Sequence, residues 1–146
     1  MERVVVFLDT SALVKRYVAE QGSRFVAQFF QPSTQAAAIF VSTLTYVEVI
    51  AAFSRRLPPP PAVLNQLFVE DYRRGMEKIP VSAAIIERAG TLSRTHRLRA
   101  ADAIQLASAL RIGSNVPTLM LLTADAEMVM AAQAEGLRVD NPNRYT

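Results

Sequence analysis

The sequence predicts an α/β fold in which a mainly parallel sheet of four to five strands is covered by helices on both faces. Short apolar runs rich in β-branched residues, such as residues 4–8, are typical of strands buried on both faces. Segments with apolar residues at helical spacing follow these runs, so strands and helices alternate along the chain. This alternation indicates parallel pairing through right-handed crossovers and a three-layer α/β/α sandwich.

The pattern predicts the following elements. Strands are expected at residues 4–8, 36–41, 78–81, 118–122 and 137–139. Helices are expected at residues 10–19, 24–31, 44–56, 62–74, 83–95, 100–113 and 124–135. The strand that contains Pro80 is expected at an edge of the sheet, or to end at this residue, because proline cannot donate a ladder hydrogen bond.

Short polar residues and glycines mark the expected helix ends. The predicted N-caps are Ser23, Ser42 or Thr43, Ser82 and Thr123. The glycines expected to end helices are Gly75, Gly113 and Gly136. The run Pro58 to Pro61 is expected to form a stiff connection, with Pro61 near the first turn of the next helix, because each ring fixes φ and removes a donor.

The length and composition of the chain exclude several classes of protein. With 146 residues, of which 51% are hydrophobic, we expect a single packed domain over residues 1–146. The chain has no cysteine, which excludes disulfides and thiolate metal sites. No apolar run reaches the roughly 18 residues of a membrane span, and the N-terminus leads into a strand without a signal-peptide pattern. We therefore expect a cytoplasmic protein that does not enter a membrane.

The basic residues of the chain are almost all arginine. The net charge is +3, and fourteen of the sixteen Lys and Arg residues are arginine. The planar fork of arginine binds phosphate in a bidentate manner, so a polyanionic partner fits this composition. An arginine-rich surface without such a partner fits it at least as well.

Four acidic residues stand in apolar surroundings or directly behind buried strands, each at or near the start of a predicted helix. They are Asp9, Glu48, Asp102 and Asp125. An ionised carboxylate in apolar surroundings costs free energy unless it is paired or binds a metal. Because the helices of a doubly wound sheet begin along one edge, we expect the four acids to converge there and to hold a divalent metal.

Each of these acids also has an explanation that requires no ligand. Asp9 is placed to cap the first helix, and Thr45 with Glu48 has the spacing of a capping box. Asp102 and Asp125 fall in first turns, where the helix dipole favours anions. Four carboxylates gathered without a lysine would nevertheless repel one another, and a bound cation relieves that repulsion.

The residue types of this acidic set fit a hard cation. Mg²⁺ takes oxygen ligands and binds through one or two carboxylates together with waters and substrate phosphate, and Mn²⁺ uses the same ligands. Zinc does not fit, since the chain has one histidine, no cysteine and no His-Glu-x-x-His motif. A metal held in this way can activate water for attack on a phosphodiester.

Several motifs follow one another in order over nearly the whole chain. They are Leu-Asp-Thr-Ser-Ala-Leu-Val-Lys at 8–15, Glu48 in the helix after the second strand, Ala-Asp-Ala-Ile-Gln-Leu-Ala at 101–107, Leu-Thr-Ala-Asp at 122–125, Ala131-Ala132 and Glu-Gly-Leu at 135–137. In their order and spacing the chain resembles PIN-domain ribonucleases of the VapC toxin type.

The resemblance implies a PIN-like fold and a Mg²⁺- or Mn²⁺-dependent endoribonuclease that hydrolyses RNA phosphodiesters. The residues that match the family's catalytic and metal-site acids are Asp9, Glu48, Asp102 and Asp125, the last as a fourth acid. The residues that match hydroxyls orienting these acids or contacting phosphate are Thr10, Ser11 and Thr123. The resemblance also implies a homodimer and a cognate VapB-type antitoxin that silences the enzyme, while the proline run is not part of the family pattern.

Three further features allow two interpretations each. His96 fits a general base, but a surface-loop histidine beside Arg97 is the preferred interpretation. Arg94, Arg97 and Arg99 fit phosphate contacts or a solvated basic loop, and Arg97 and Arg99 are the candidate RNA contacts. Aromatic residues of the first half fit a groove for a partner helix or ordinary core, and core is preferred for most of them: Phe25, Phe29, Phe30, Tyr46 and Phe53.

Other classes of protein also place acids on a parallel sheet. A receiver domain, which transfers phosphate, needs paired acids near its first strand and a lysine after a late one, and neither is visible in the sequence. A haloacid-dehalogenase phosphatase needs a second aspartate where this chain has Ser11. A PIN-fold protein that binds RNA or regulates without cleaving stays open, although the four acids favour catalysis.

Overall fold

The central sheet is entirely parallel, as the alternation of strands and helices predicts. The computed structural model describes residues 4–32 and 38–146. Within these residues the strands are β1 (Val5–Leu8), β2 (Ala38–Ser42), β3 (Glu77–Ile79), β4 (Leu119–Leu122) and β5 (Arg138–Asp140). They form one five-stranded sheet in the order β3-β2-β1-β4-β5, and each neighbouring pair is parallel. Receiver domains have the order 2-1-3-4-5, so this topology excludes that class.

The helices of the described residues pack on both faces of the sheet. They are α1 (Thr10–Leu13), α2 (Ser23–Ala27), α3 (Leu44–Arg56), α4 (Ala62–Gly75), α5 (Ala83–His96), α6 (Ala100–Gly113) and α7 (Ala126–Ala134). Successive side chains of β1 point to opposite faces: Phe7 packs with α5, α6 and α7, whereas Val6 and Leu8 pack with α1, α3 and α4. The predicted α/β/α sandwich is therefore confirmed. No helix among residues 4–32 and 38–146 has the length and apolar character needed to cross a membrane.

The central position of β1 explains its composition. β1 pairs with β2 on one side and β4 on the other, and Val6, Phe7 and Leu8 are all fully buried. A strand covered on both faces needs apolar side chains at every position. The end of this strand consequently lies in the middle of the sheet edge.

The aromatic residues of the first half belong to the core on the α3 side. Phe53 is fully buried in the core between the sheet and α3. Four other aromatic side chains pack against this core and are partly buried: Phe25, Phe29, Phe30 and Tyr46. Tyr46 contacts Phe68, with ring centroids 5.9 Å apart. The preferred interpretation of these residues as core is thus confirmed for most of them.

The loop between α1 and α2 differs from the prediction. The first helix ends as a 3₁₀ turn over Val14–Arg16 rather than continuing to residue 19. Ser23 is not an N-cap, because Gly22 occupies that position with φ +85°. The Ser23 hydroxyl instead accepts from the backbone N–H of Glu20 and donates to the carbonyl of Val18. These bonds close a loop where the sequence pattern predicts helix.

Other helix boundaries agree with the sequence more closely. Ser82 caps α5 by accepting from the N–H of Ile85, as predicted. At the start of α3, Ser42 accepts from Leu44 N, whereas the Thr43 hydroxyl accepts from the N–H of Val81. Thr43 occupies the N-cap position of α3 without a side-chain bond to the helix, and the Ser42 hydroxyl is the one that bonds the helix start.

Glycine and proline mark element ends, but only one of the three predicted glycines does so by a left-handed conformation. Gly136 follows α7 with φ +85°, while Gly75 and Gly113 are the last residues of their helices. β3 is an edge strand and ends before Pro80, as predicted. Pro61 takes the N-cap position of α4, at the end of the proline connection. The predicted second strand begins at residues 36 and 37, which lie outside the described residues.

Candidate active site at the carboxyl edge of the sheet

Asp9 lies at the centre of the carboxyl edge, as the first residue after β1. It is 4% exposed. Its Oδ1 accepts from Thr10 N at 2.8 Å, and its Oδ2 accepts from the hydroxyls of Ser11 at 2.9 Å and Thr123 at 2.8 Å. Asp9 therefore caps α1 through its bond from Thr10 N. Capping does not explain why the same buried carboxylate also accepts from two hydroxyls.

The burial of Asp9 makes its charge unfavourable. Loss of solvation raises the pKa of Asp9 from its ordinary value of 3.8 to about 6, against the opposing effect of the hydrogen bonds from Thr123 and Ser11. The carboxylates of Asp102 and Glu48 raise the pKa further. Asp9 is therefore within electrostatic reach of two of the other three predicted acids.

Glu48, in the second turn of α3, is joined directly to the segment after β1. The hydroxyl of Thr10 donates to Glu48 Oε1 at 2.8 Å, and Gln105 Nε2 donates to the same oxygen at 2.7 Å. The alternative of a capping box is wrong, because Thr45 lies inside α3, whose N-cap is Thr43, and its hydroxyl accepts from Gln105 Nε2 at 3.0 Å. Thr10 thus links two predicted acids, since its N–H binds Asp9 and its hydroxyl binds Glu48.

Asp102 and Asp125 lie at the starts of α6 and α7. Asp102 is half-buried, and its pKa is raised by loss of solvation, then by the charges of Asp125 and Glu48, against a lowering by Arg99. Asp125 is the N-cap of α7, where its Oδ1 accepts from Glu127 N at 2.9 Å. The prediction that Thr123 caps this helix is wrong, because its hydroxyl is directed to Asp9.

Hydroxyl groups connect the loops that carry these acids. Thr123 is fully buried, and besides donating to Asp9 it accepts from Asp125 N at 3.2 Å. The Ser11 hydroxyl accepts from Ala124 N at 3.0 Å. The β1–α1 and β4–α7 loops are thereby held together around the buried carboxylate.

The four acids share one edge but do not form a closed cage. Across residues 4–32 and 38–146, no group of three or more acidic or histidine side chains is assembled closely enough to hold a metal ion by itself. Mg²⁺ is commonly bound through one or two carboxylates, with waters and substrate phosphates as the other ligands. The all-oxygen donor set fits such a hard cation, so the metal site stays a prediction that agrees with the chemistry of these residues.

Comparison with known proteins identifies the family. The PIN-domain family model matches residues 6–133. The chain belongs to the PIN-domain family. Ribonuclease VapC49 of Mycobacterium tuberculosis is 32% identical over 140 residues, which cover 92% of this chain and 94% of the relative. Ribonuclease VapC35 of the same organism is 33% identical over 144 residues, which cover 96% and 98%.

Solved structures share the fold of this PIN domain at lower identity. VapC20 of Mycobacterium tuberculosis, a toxin that cleaves the sarcin–ricin loop, superposes with a TM-score of 0.68 at 14% identity, covering 90% of this chain and 95% of the other. A toxin–antitoxin complex from Klebsiella pneumoniae gives a TM-score of 0.65 at 20% identity, covering 94% and 97%. At these identities the likeness shows the fold alone, and it agrees with the predicted α/β/α sandwich.

The basic segment before α6 of this PIN domain is shorter than the sequence suggests. α5 continues to His96, so Arg94 is helical. The interpretation of His96 as a surface-loop residue is wrong, because its side chain is only 15% exposed and its Nε2 lies 2.7 Å from Glu135 Oε2. Arg97 and Arg99 are exposed beside the start of α6, and Arg97 adopts φ +56°.

The sequence-based interpretation of this PIN domain missed Gln105. This residue is 1% exposed on α6 and contacts Glu48 and Thr45. The available signal was a lone amide among apolar residues, three positions after Asp102 and therefore on the same helical face. The local pattern around Gln105 does not identify its partners, because Thr45 and Glu48 both lie on another helix, α3.

Proposed function

We propose that this PIN domain is an endoribonuclease that requires Mg²⁺ or Mn²⁺ and is the toxin of a VapBC-type toxin–antitoxin pair. The observation that carries the proposal is the linkage of two carboxylates through Thr10, whose N–H binds Asp9 and whose hydroxyl binds Glu48 at 2.8 Å. This linkage lies where open parallel sheets build their sites. The name Ribonuclease VapC of the relatives at 32–33% identity supports RNA as the substrate.

The residues of the edge have distinct proposed roles. Asp9, Glu48 and Asp102 would hold the cation, with Asp125 as a fourth acid beside Asp102. A bound cation of this kind supplies an activated water and neutralises charge that develops on a phosphodiester. Ser11 and Thr123 hold the Asp9 carboxylate in place through their hydroxyls.

The exposed arginines before α6 are proposed to contact the RNA backbone. Arg99 is close enough to Asp102 to lower the pKa of that carboxyl group. Phosphate contacts position a nucleic acid without reading its bases. Arg97 and Arg99 would therefore set affinity rather than the choice of cleavage site.

The proposed partners follow from membership of the family. We expect a VapB-type antitoxin that silences the enzyme, a homodimer, and action in the cytoplasm. Co-expression with a VapB-type antitoxin and copurification test the first expectation, and light scattering of the purified chain tests the second.

A PIN-fold protein that binds RNA without cleaving it is the second candidate. It is compatible with the finding that no three acidic or histidine side chains of the described residues form a ready-made metal site. Such a protein would bind RNA in the presence of EDTA as well as in the presence of metal. It would leave the RNA intact under both conditions.

Cleavage of a total RNA pool tests the proposal. The purified protein is incubated with Mg²⁺, Mn²⁺ or EDTA, and the new RNA ends are sequenced. We expect metal-dependent cuts that are lost in Asp9→Asn and kept in Glu70→Gln, an exposed acid on α4. Cuts that persist in EDTA or in Asp9→Asn would refute the mechanism, and intact RNA that is still bound would favour the second candidate.

A further inference from the structure

A buried glutamine lies behind the proposed site. Gln105 is in the middle of α6, three residues after Asp102, and is 1% exposed. Its Nε2 donates to Glu48 Oε1 at 2.7 Å and to the Thr45 hydroxyl at 3.0 Å, and it lies 3.3 Å from the Thr10 hydroxyl. One side chain of α6 therefore ties α3 to the segment that follows β1.

The orientation of this amide favours its contact with Glu48. Among the described residues, Gln105 Oε1 is buried and has no hydrogen-bond partner. A buried acceptor without a partner is unfavourable. Rotating the amide by half a turn would bring Oε1 to the Thr45 hydroxyl, but it would also set this oxygen against the Glu48 carboxylate. The observed orientation leaves one acceptor unpaired and keeps an N–H donor on the carboxylate.

Two donors restrain the same oxygen of Glu48. Thr10 and Gln105 both donate to Oε1, at 2.8 and 2.7 Å, and neither bond involves Oε2. A carboxylate with one oxygen fixed by two hydrogen bonds has a defined plane. Oε2 takes no part in either bond and is therefore available to a ligand.

We propose that Gln105 is a positioning residue that orients Glu48 for binding of a divalent cation. This inference rests on the proposed function and adds to it a residue that would not touch the metal or the RNA. Hydrogen-bond partners of metal ligands commonly contribute 10–100-fold to metal affinity. Gln105 would therefore act on affinity for the cation first, and on cleavage only through it.

Mn²⁺ binding to the purified protein, without RNA, tests this role. Free Mn²⁺ is measured by electron paramagnetic resonance during titration. In Gln105→Met, which keeps an unbranched side chain but has no donor, we expect the dissociation constant for Mn²⁺ to rise about tenfold or more. Ser108→Ala is the matched control, because Ser108 is also fully buried on α6 and, within residues 4–32 and 38–146, its hydroxyl bonds only Ile104 O. Its affinity for Mn²⁺ should equal that of the wild type.

A second variant tests the same restraint without altering α6. Thr10→Val removes the other donor to Glu48 Oε1 and keeps the branched shape, so it should also raise the dissociation constant. A melting curve of each variant confirms that it is folded. If Gln105→Met does not fold, Gln105→Leu, which also lacks the donor, is measured in its place, and unchanged Mn²⁺ affinity in the folded Gln105 variant overturns the inference.

The outcomes separate this inference from the proposed function. If the wild type binds no Mn²⁺ in the absence of RNA, the positioning role is overturned, and the proposed function is decided separately by the metal-dependent cleavage of RNA. If the wild type binds Mn²⁺ and Asp9→Asn does not, the site stands, and unchanged affinity in Gln105→Met then overturns the positioning role alone. A weaker Mn²⁺ affinity in Gln105→Met together with a wild-type affinity in Ser108→Ala supports it.

Discussion

Asp9→Asn should stabilise the metal-free protein at neutral pH while it abolishes the proposed activity. The pKa of Asp9 is raised from 3.8 to about 6 because the carboxyl group is buried. A raised pKa means that the folded state holds this proton more tightly than the unfolded state does. The contribution of Asp9 to stability is therefore full below about pH 4 and is lost as the pH rises through about 6.

The size of this effect follows from the two pKa values. Their difference corresponds to about 3 kcal/mol of folding free energy above pH 6. This value is the upper limit for the stability that Asp9→Asn gains by removing the charge. The asparagine keeps the shape and one oxygen for Thr10 N. The hydroxyls of Ser11 and Thr123 can accept from its amide, because a hydroxyl is both donor and acceptor.

Urea unfolding in EDTA measures the effect at about pH 5 and about pH 8. The wild type should lose stability relative to Asp9→Asn as the pH rises, whereas Glu87→Gln, at an exposed position on α5, should follow the wild type. Added Mn²⁺ should stabilise the wild type and not Asp9→Asn. Equal stability of wild type and Asp9→Asn at the higher pH would refute the reasoning that the charge of Asp9 is unfavourable.

Three further predictions concern the other elements of the site and one loop. Asp102→Asn should keep the fold and abolish metal-dependent cleavage, as measured by sequencing RNA ends; unchanged cleavage would remove Asp102 from the site. Arg97→Gly should stabilise the protein to thermal unfolding by about 0.5–1 kcal/mol, because φ is +56° at this residue. It should also reduce the salt dependence of RNA binding by about one charge, and an unaltered salt dependence would place Arg97 outside the interface. Gly22→Ala should destabilise the protein more than Gly136→Ala does. Both glycines have φ +85°, but only at residue 22 would an added Cβ lie 2.5 Å from a backbone oxygen, that of Pro142. Equal melting temperatures of the two variants would contradict this packing.

The local pattern of the chain was sufficient to predict the sheet and most of the helices. The runs that form β1 and β4 are apolar at every position because both strands are covered on two faces. The acids that follow strands were therefore recognisable as exceptions to that pattern. The sequence predicted that Asp9 follows a buried strand, and the structure shows that this strand is the central one of the sheet.

Local patterns failed where side chains bond to distant parts of the chain. Thr123 has the residue type of an N-cap, yet Asp125 holds the N-cap position of α7 and the Thr123 hydroxyl donates to Asp9, 114 residues away. His96 has the surroundings of a loop residue, yet it pairs with Glu135. Local propensity describes only the hydrogen bonds that a side chain can make within its own segment. A carboxylate that the fold brings close from another part of the chain can offer a stronger hydrogen bond.

The sequence by itself determined the fold class, the family motifs and the candidate acids of this protein, because these depend on residue type and periodicity. Only the tertiary structure decided which groups restrain those acids. The bonds from Thr10 and Gln105 to Glu48 join residues 38 and 57 positions apart. Their geometry depends on how α3 and α6 pack around the end of β1, and no periodicity within either helix encodes that distance.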